Sequence, residues 1–257
     1  MKYYRKPRTK TVFKQYATPW GPKPYPENPS TVASAGCGLC SVTHLAIEQS
    51  AKANYTPSTL YSYMKQYAVK GHGTEWIGID NGMKHIGLTD VKRLGTLEDL
   101  YAEMVKGNRV CVFLFNGNVA PDGKTQWTSG GHYVAASGYR VGKYHWFYTK
   151  DSGGRNHDGW YSYERSMKGC IKMIWVGKLP AEAITLPDRG YFQRGDSGEE
   201  VKKIQRFLKQ QGLYKGRIGG HFKKLTEAAT KRFQSENGLA VDGKFGPECL
   251  KIYNKIA

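Results

Sequence analysis

Segments with helical periodicity dominate the chain up to about residue 105, β-prone runs occupy 110–176, and helical periodicity returns beyond two Leu-Pro breaks at 179–180 and 186–187. That order admits few folds. Helices first and an antiparallel sheet second, without strand–helix alternation, predict an α+β domain rather than a parallel α/β one. The segment after the breaks predicts a small all-α domain of three helices. With 257 residues and 39% hydrophobic content, the chain is long enough for one large core and one small one.

The elements follow from local signals. The pattern after Cys37 reads as a helix to Gln49, Pro57-Ser58 opens another carrying Leu60, Tyr61, Met64 and Tyr67 on one face, and Thr96 with Asp99 caps a third. Strands are predicted over 110–115, 133–139, 144–149 and 171–176. Six prolines among the first thirty residues, Pro7, Pro19, Pro22, Pro24, Pro26 and Pro29, forbid regular helix or central strand there. The predicted layout is therefore a basic proline-rich segment over 1–30, a large domain over 31–179, a linker over 180–188 and a small domain over 189–257. In the last, Ser197-Gly198-Glu199-Glu200 reads as a capping box before Val201, Ile204 and Leu208, Thr226 reads as a second cap, and Gly246-Pro247 starts a third helix. An internal order recurs there: Gln205, Gly212-Leu213 and Ile218 to Phe222, then Gln234, Gly238-Leu239 and Val241 to Phe245.

One constellation carries chemistry. Cys37 stands between Gly36 and Gly38 where an apolar helix begins, a position that lowers a thiol's pKa. His132 opens a β-prone run behind Gly130-Gly131, and Asp151 ends the next run at the turn Asp151-Ser152-Gly153-Gly154. A thiol that attacks, an imidazole that shuttles the proton and a carboxylate that orients it form a nucleophilic triad. Asp151 also fits plain turn chemistry. Cys40, one turn after Cys37, is read as core in preference to a resolving thiol or the nucleophile, Cys111 as strand packing, and His44 as a packed or solvated histidine. Apart from the Cys37/Cys40 pair, which lacks a second pair at zinc-site spacing, the seven histidines and five cysteines hold no zinc-type ligand set, so neither a metal nor another cofactor is expected.

The formal charge of +18 predicts attraction to a polyanion. No nucleic-acid motif is present, so nucleic acid is not the expected partner. No run approaches the ~20 apolar residues of a membrane span, and the start lacks the ~7–15-residue apolar core of a signal peptide. Stable membrane insertion is therefore not expected, and synthesis in a cytoplasm is. The odd number of cysteines predicts free thiols.

Gly36-Cys37-Gly38 and Gly131-His132-Tyr133-Val134, with Asp151 after the following strand, resemble the papain-like cysteine peptidases typified by bacteriocin-processing leader peptidases and by catalytic domains of phage lysins. Leu39 and Cys40 replace the family's proline and threonine. The family's glutamine six residues before the cysteine is Thr31 here, so a hydroxyl of Thr31 or Ser34 with the Cys37 N–H is the oxyanion donor pair this resemblance leaves. Residues 189–257 resemble the three-helix peptidoglycan-binding domain through Gly198, Val201, Ile204-Gln205, Phe222, Thr226, Phe233-Gln234, Asp242-Gly243 and Gly246. Gly219 and Lys223 depart from its first turn. The resemblance makes Gln205, Phe222, Gln234, Asp242 and Phe245 candidate wall-binding residues. Together the two resemblances imply a phage endolysin with antimicrobial action, made in a host bacterial cytoplasm and reaching the wall once the membrane is permeabilised. Its partners would be peptidoglycan and anionic wall polymers, and its reaction cleavage of an amide in stem or cross-bridge peptides. The same triad on the lactyl–alanine bond would make an N-acetylmuramoyl-L-alanine amidase, and a decayed peptidase domain would leave a non-catalytic wall-binding protein.

Overall fold

Arg109–Phe115 (β5), Arg-Val-Cys-Val-Phe-Leu-Phe, is buried along its whole length because period-2 alternation sends its side chains to two different cores. Val110, Val112 and Leu114 enter one core, Cys111, Phe113 and Phe115 the other. A computed structural model describes residues 1–49, 54–180 and 182–256. The chain divides into two units, Met1–Pro180 and Ala181–Ala257.

In the first unit an antiparallel sheet is built around β5. Its other strands are Lys2–Arg5 (β1), Thr89–Leu94 (β4), His132–Val141 (β6), His145–Lys150 (β7), Gly159–Ser162 (β8) and Ile171–Lys178 (β9), in the order β4-β9-β5-β6-β7-β8. β5 pairs with the first half of β6, and β1 with its second half. One face is covered by the helices Val32–Ala35 (α1), Cys37–Ala46 (α2), Pro57–Lys65 (α3) and Trp76–His85 (α4), through Leu39, Val42, Leu45, Leu60, Met64, Ile79 and Met83. The other face is covered by Leu97–Met104 (α5), the short helix Tyr163–Ser166 (α6) and Trp127. A two-stranded hairpin, Ala68–Val69 (β2) with Gly73–Thr74 (β3), precedes α4.

The mixed helix-and-antiparallel-sheet layout expected from the sequence is present, with differences of detail. The predicted helix from Cys37 ends at Ala46, short of Gln49. The proline-rich segment is built into the unit: β1 joins the sheet, and Tyr25 is fully buried with its hydroxyl 2.9 Å from that of Thr74.

The second unit packs Glu199–Gln210 (α7), Lys224–Glu236 (α8) and Pro247–Ile256 (α9) around Phe207, Phe222, Phe233, Phe245 and Tyr253. Much of the stretch read as linker belongs to this unit: Ile184 enters its core, Thr185 N–H donates to Glu200, and Arg206 pairs with Glu182 at 2.7 Å. The expected capping box does not form. Gly198 is the N-cap of α7 at φ 129°, a conformation open to glycine, and its N–H donates to Gly220 O. Thr226 lies inside α8, whose N-cap is Lys223, and its hydroxyl accepts from Gln205 Nε2 at 3.0 Å.

Candidate active site

Three elements of the first unit meet at one place. Cys37 is the first residue of α2, His132 the first of β6, and Asp151 follows the last residue of β7. β6 and β7 are neighbours, with Ala135 opposite Lys150, so His132 and Asp151 emerge at the same end of the sheet. His132 Nε2 lies 2.7 Å from Asp151 Oδ1. That leaves Nδ1 as the nitrogen for the thiol.

The electrostatics separate Cys37 from the other thiols. Burial pushes its pKa up, but hydrogen bonding and charge from His132, with the N–H groups of Tyr133 and Gly38, more than offset this and leave it lowered. Burial instead pushes Cys40, Cys111, Cys170 and Cys249 upward. Burial of His132 favours its neutral form, yet Asp151 and Cys37 raise it to about 10. Burial likewise opposes ionisation of Asp151, but His132 and His157 hold its carboxyl well below the carboxylate range. A half-buried thiolate facing an imidazolium is the form these shifts favour.

The surroundings of Asp151 are tightly bonded. Gly153 N–H donates to Oδ1 at 2.8 Å and His157 N–H to Oδ2 at 3.0 Å, while Asp158 Oδ1 accepts from Asp151 N–H at 2.7 Å. Lys14 Nζ reaches both Asp151 O, at 2.7 Å, and Asp158 Oδ2, at 3.0 Å.

Thr31 and Ser34 hold α1 together. Thr31 N–H donates to Ser34 Oγ at 2.9 Å, and that hydroxyl donates back to Thr31 O at 3.1 Å. Gln15, which carries no sequence signal, is the polar side chain joined to both halves of the site: Nε2 donates to Ala33 O at 2.7 Å and Oε1 accepts from Ser152 Oγ at 3.2 Å. By occupying the Ala33 carbonyl, Gln15 takes the acceptor a continuous helix would offer Cys37. Among the described residues the Cys37 N–H has no backbone acceptor, as befits a helix start. Cys40, Cys111 and His44 are fully buried, His44 Nε2 accepting from Phe13 N–H at 2.7 Å. Among the described residues no three His, Cys, Asp or Glu side chains are grouped to hold a metal, and no helix is long and apolar enough to cross a membrane.

Residues 197–252 match the family of peptidoglycan binding domains. An 82-residue stretch is 46% identical to the spore cortex-lytic enzyme of Bacillus cereus, covering 32% of this chain and 32% of that protein. A 54-residue stretch is 43% identical to the N-acetylmuramoyl-L-alanine amidase CwlM of Mycobacterium tuberculosis, covering 21% of this chain and 13% of that one. These matches thus span a third or less of the curated relatives' length. A crystal structure of the peptidase domain of Streptococcus ComA, a bifunctional ABC transporter, is 17% identical with a TM-score of 0.40, over 55% of this chain and 88% of that one.

Within the matched segment the repeat has a mechanical meaning. Gln205 Oε1 accepts from Gly220 N–H at 2.9 Å while its Nε2 donates to His221 O at 2.8 Å; Gln234 does the same with Gly243 N–H at 2.8 Å and Lys244 O at 2.9 Å. Both glycines have positive φ, so each buried carboxamide clamps a glycine turn. Gln205, Phe222, Gln234 and Phe245 are thus interior residues that shape the turns. Asp242 accepts from Gln234 Nε2 at 2.7 Å and lines a pocket of about 200 Å³ with Tyr191, Leu239, Ala240, Lys244 and Glu248.

Proposed function

We propose that the chain is a peptidoglycan hydrolase of endolysin type, in which a papain-like cysteine peptidase unit cuts an amide of stem or cross-bridge peptides while residues 189–257 hold it on the wall. One observation carries the reading: Cys37 is the thiol held below its ordinary value, against a His132 fixed by buried Asp151, on a chain whose other unit matches a peptidoglycan binding domain. The similarity of an 82-residue stretch of the chain to a spore cortex-lytic enzyme supports it.

In this reading His132 accepts the Cys37 proton and the thiolate attacks the amide carbonyl carbon. The negative oxygen that forms meets the Cys37 N–H at the positive end of α2. The imidazolium gives its proton to the leaving nitrogen as the C–N bond breaks, leaving a thioester and a free amine. Water, deprotonated by His132, attacks the thioester, releasing a carboxylic acid and restoring the thiol. Asp151 stabilises the imidazolium throughout. The wall-binding unit makes the encounter intramolecular, raising effective concentration at an insoluble polymer, and the charge of +18 adds attraction to anionic wall polymers.

The test is mass spectrometry of fragments released from purified peptidoglycan by the wild type and by Cys37→Ala. New amine termini within the peptides, absent with the variant, are expected. Lactyl ends on released glycan with L-alanine amines would make the enzyme an amidase by the same steps. No release by the wild type from several wall types would leave a wall-binding protein.

A further inference from the structure

A buried carboxylate that plays no part in the reaction joins the three elements of the triad at the opposite end of α2 from Cys37. Glu48 lies just past the end of α2 and is fully buried. Its Oε1 is 2.7 Å from Nζ of Lys150, also fully buried, the last residue of β7 and the neighbour of Asp151. Its Oε2 is 2.9 Å from Arg5 Nη2 and accepts from Arg8 N–H at 2.7 Å. Arg5, at the end of β1, also donates through Nη1 to Ser137 O on β6, the strand that begins at His132. One carboxylate therefore touches the helix of the nucleophile, the strand of the acid and, through Arg5, the strand of the base.

We infer that Glu48 is a positioning residue of the proposed cysteine hydrolase, tying α2 to β6 and β7 so that Cys37, His132 and Asp151 keep their spacing; the inference rests on the reading of Cys37 as nucleophile. Packing alone would not require charges here. Three ionised side chains in an interior are costly to desolvate, and apolar residues of similar volume commonly replace such groups without loss of stability. What an ion cluster supplies beyond packing is direction, because each bond fixes a donor and an acceptor to a few tenths of an ångström. Burial pushes Glu48 toward protonation, but Arg5 and Lys150 more than offset this and hold it lowered, while for the two cations burial outweighs Glu48 and lowers both.

The test separates positioning from stability. The full-length triple variant Arg5→Met, Glu48→Leu, Lys150→Met removes the tie without stranding a charge, and should unfold cooperatively at or near the wild-type temperature. Its Cys37 alkylation by iodoacetamide should shift to higher pH, and its kcat on solubilised wall peptides should fall about 10–100-fold with KM within about twofold, the scale of a sub-ångström to 1 Å misplacement. A folded triple variant with the wild-type alkylation profile overturns the inference. If the triple variant does not fold, Lys150→Arg keeps the charge but lengthens the tie, and an unmoved alkylation profile there overturns it equally. Alkylation needs no substrate, so a wild type that cleaves no wall refutes the proposed function while the tie is still judged.

Discussion

Adding one methyl group at Gly153 should slow the site about tenfold while leaving the fold standing. A Cβ built there meets His132 Nε2 at 3.0 Å and both Asp151 Oδ1 and His132 Cε1 at 3.1 Å. Non-bonded contacts to carbon relax near 3.5 Å, so the pair must retreat by about 0.5 Å. Gly153 N–H, held on Asp151 Oδ1 at 2.8 Å, prevents the new methyl from swinging away without losing that bond. Since a displacement of 1 Å in a reacting group costs about 10²-fold, half of it should cost about tenfold in kcat. The stability cost of overpacking, ~1–3 kcal/mol, is offset by ~0.4–1 kcal/mol from the stiffer unfolded chain. Gly154 is the control, because a Cβ there meets nothing within 4 Å. Release of new amine termini from wall peptides would be followed for wild type, Gly153→Ala and Gly154→Ala, with urea unfolding of each. Equal rates for all three would refute the geometry, as would a Gly154→Ala enzyme as impaired as Gly153→Ala.

Other expectations concern the thiol, the turns and the pocket. Because burial raises Cys37 and His132 lowers it, His132→Ala should move the midpoint of Cys37 alkylation to higher pH than in the wild type; identical midpoints would remove the pairing. The raised His132 stabilises the fold fully below pH 6.5, and that contribution should disappear as pH rises through about 10, measured as a loss of urea resistance absent in His132→Ala. Gln205→Ala and Gln234→Ala each remove a buried carboxamide from a clamped turn and should cost about 2–4 kcal/mol in the second unit, read by far-UV circular dichroism during urea unfolding. Lys244→Glu, at the rim of the 200 Å³ pocket, should reduce pelleting with purified walls while unfolding at the wild-type urea concentration.

What the sequence disclosed and what it hid have physical reasons. β5 is legible because every residue is apolar or stem-buried, and Cys37 because glycines flank a helix start. α4 escapes a propensity reading because Gly78 and Gly82 interrupt it; both are needed, since a Cβ would meet Tyr67 at 2.5 Å and Met64 at 2.7 Å. β4, Thr-Asp-Val-Lys-Arg-Leu, is an edge strand whose charges belong at an edge, so its alternation is weak. Gln15 gave no signal because its partners are 18 and 137 residues away. The repeated glutamines were visible as a pattern, but the same pattern suits a ligand contact and a turn clamp, and only burial separates the two. Thr226 reads as a cap in sequence because a threonine three residues into a helix is indistinguishable in one dimension from one at its start.

The pairing of β1 with the far half of β6 sets an order of events on a growing chain. Arg5 must wait for Ser137, 132 residues on, and Glu48 for Lys150, 102 residues on, so these loops close late and at entropic cost. The nucleophile emerges long before its base and acid. Until β6 has been synthesised, Cys37 has no imidazole to lower it and is an ordinary thiol. Reactivity therefore arrives with synthesis of β6, and any truncation that ends before His132 should leave a cysteine that alkylates at the pH of a free one.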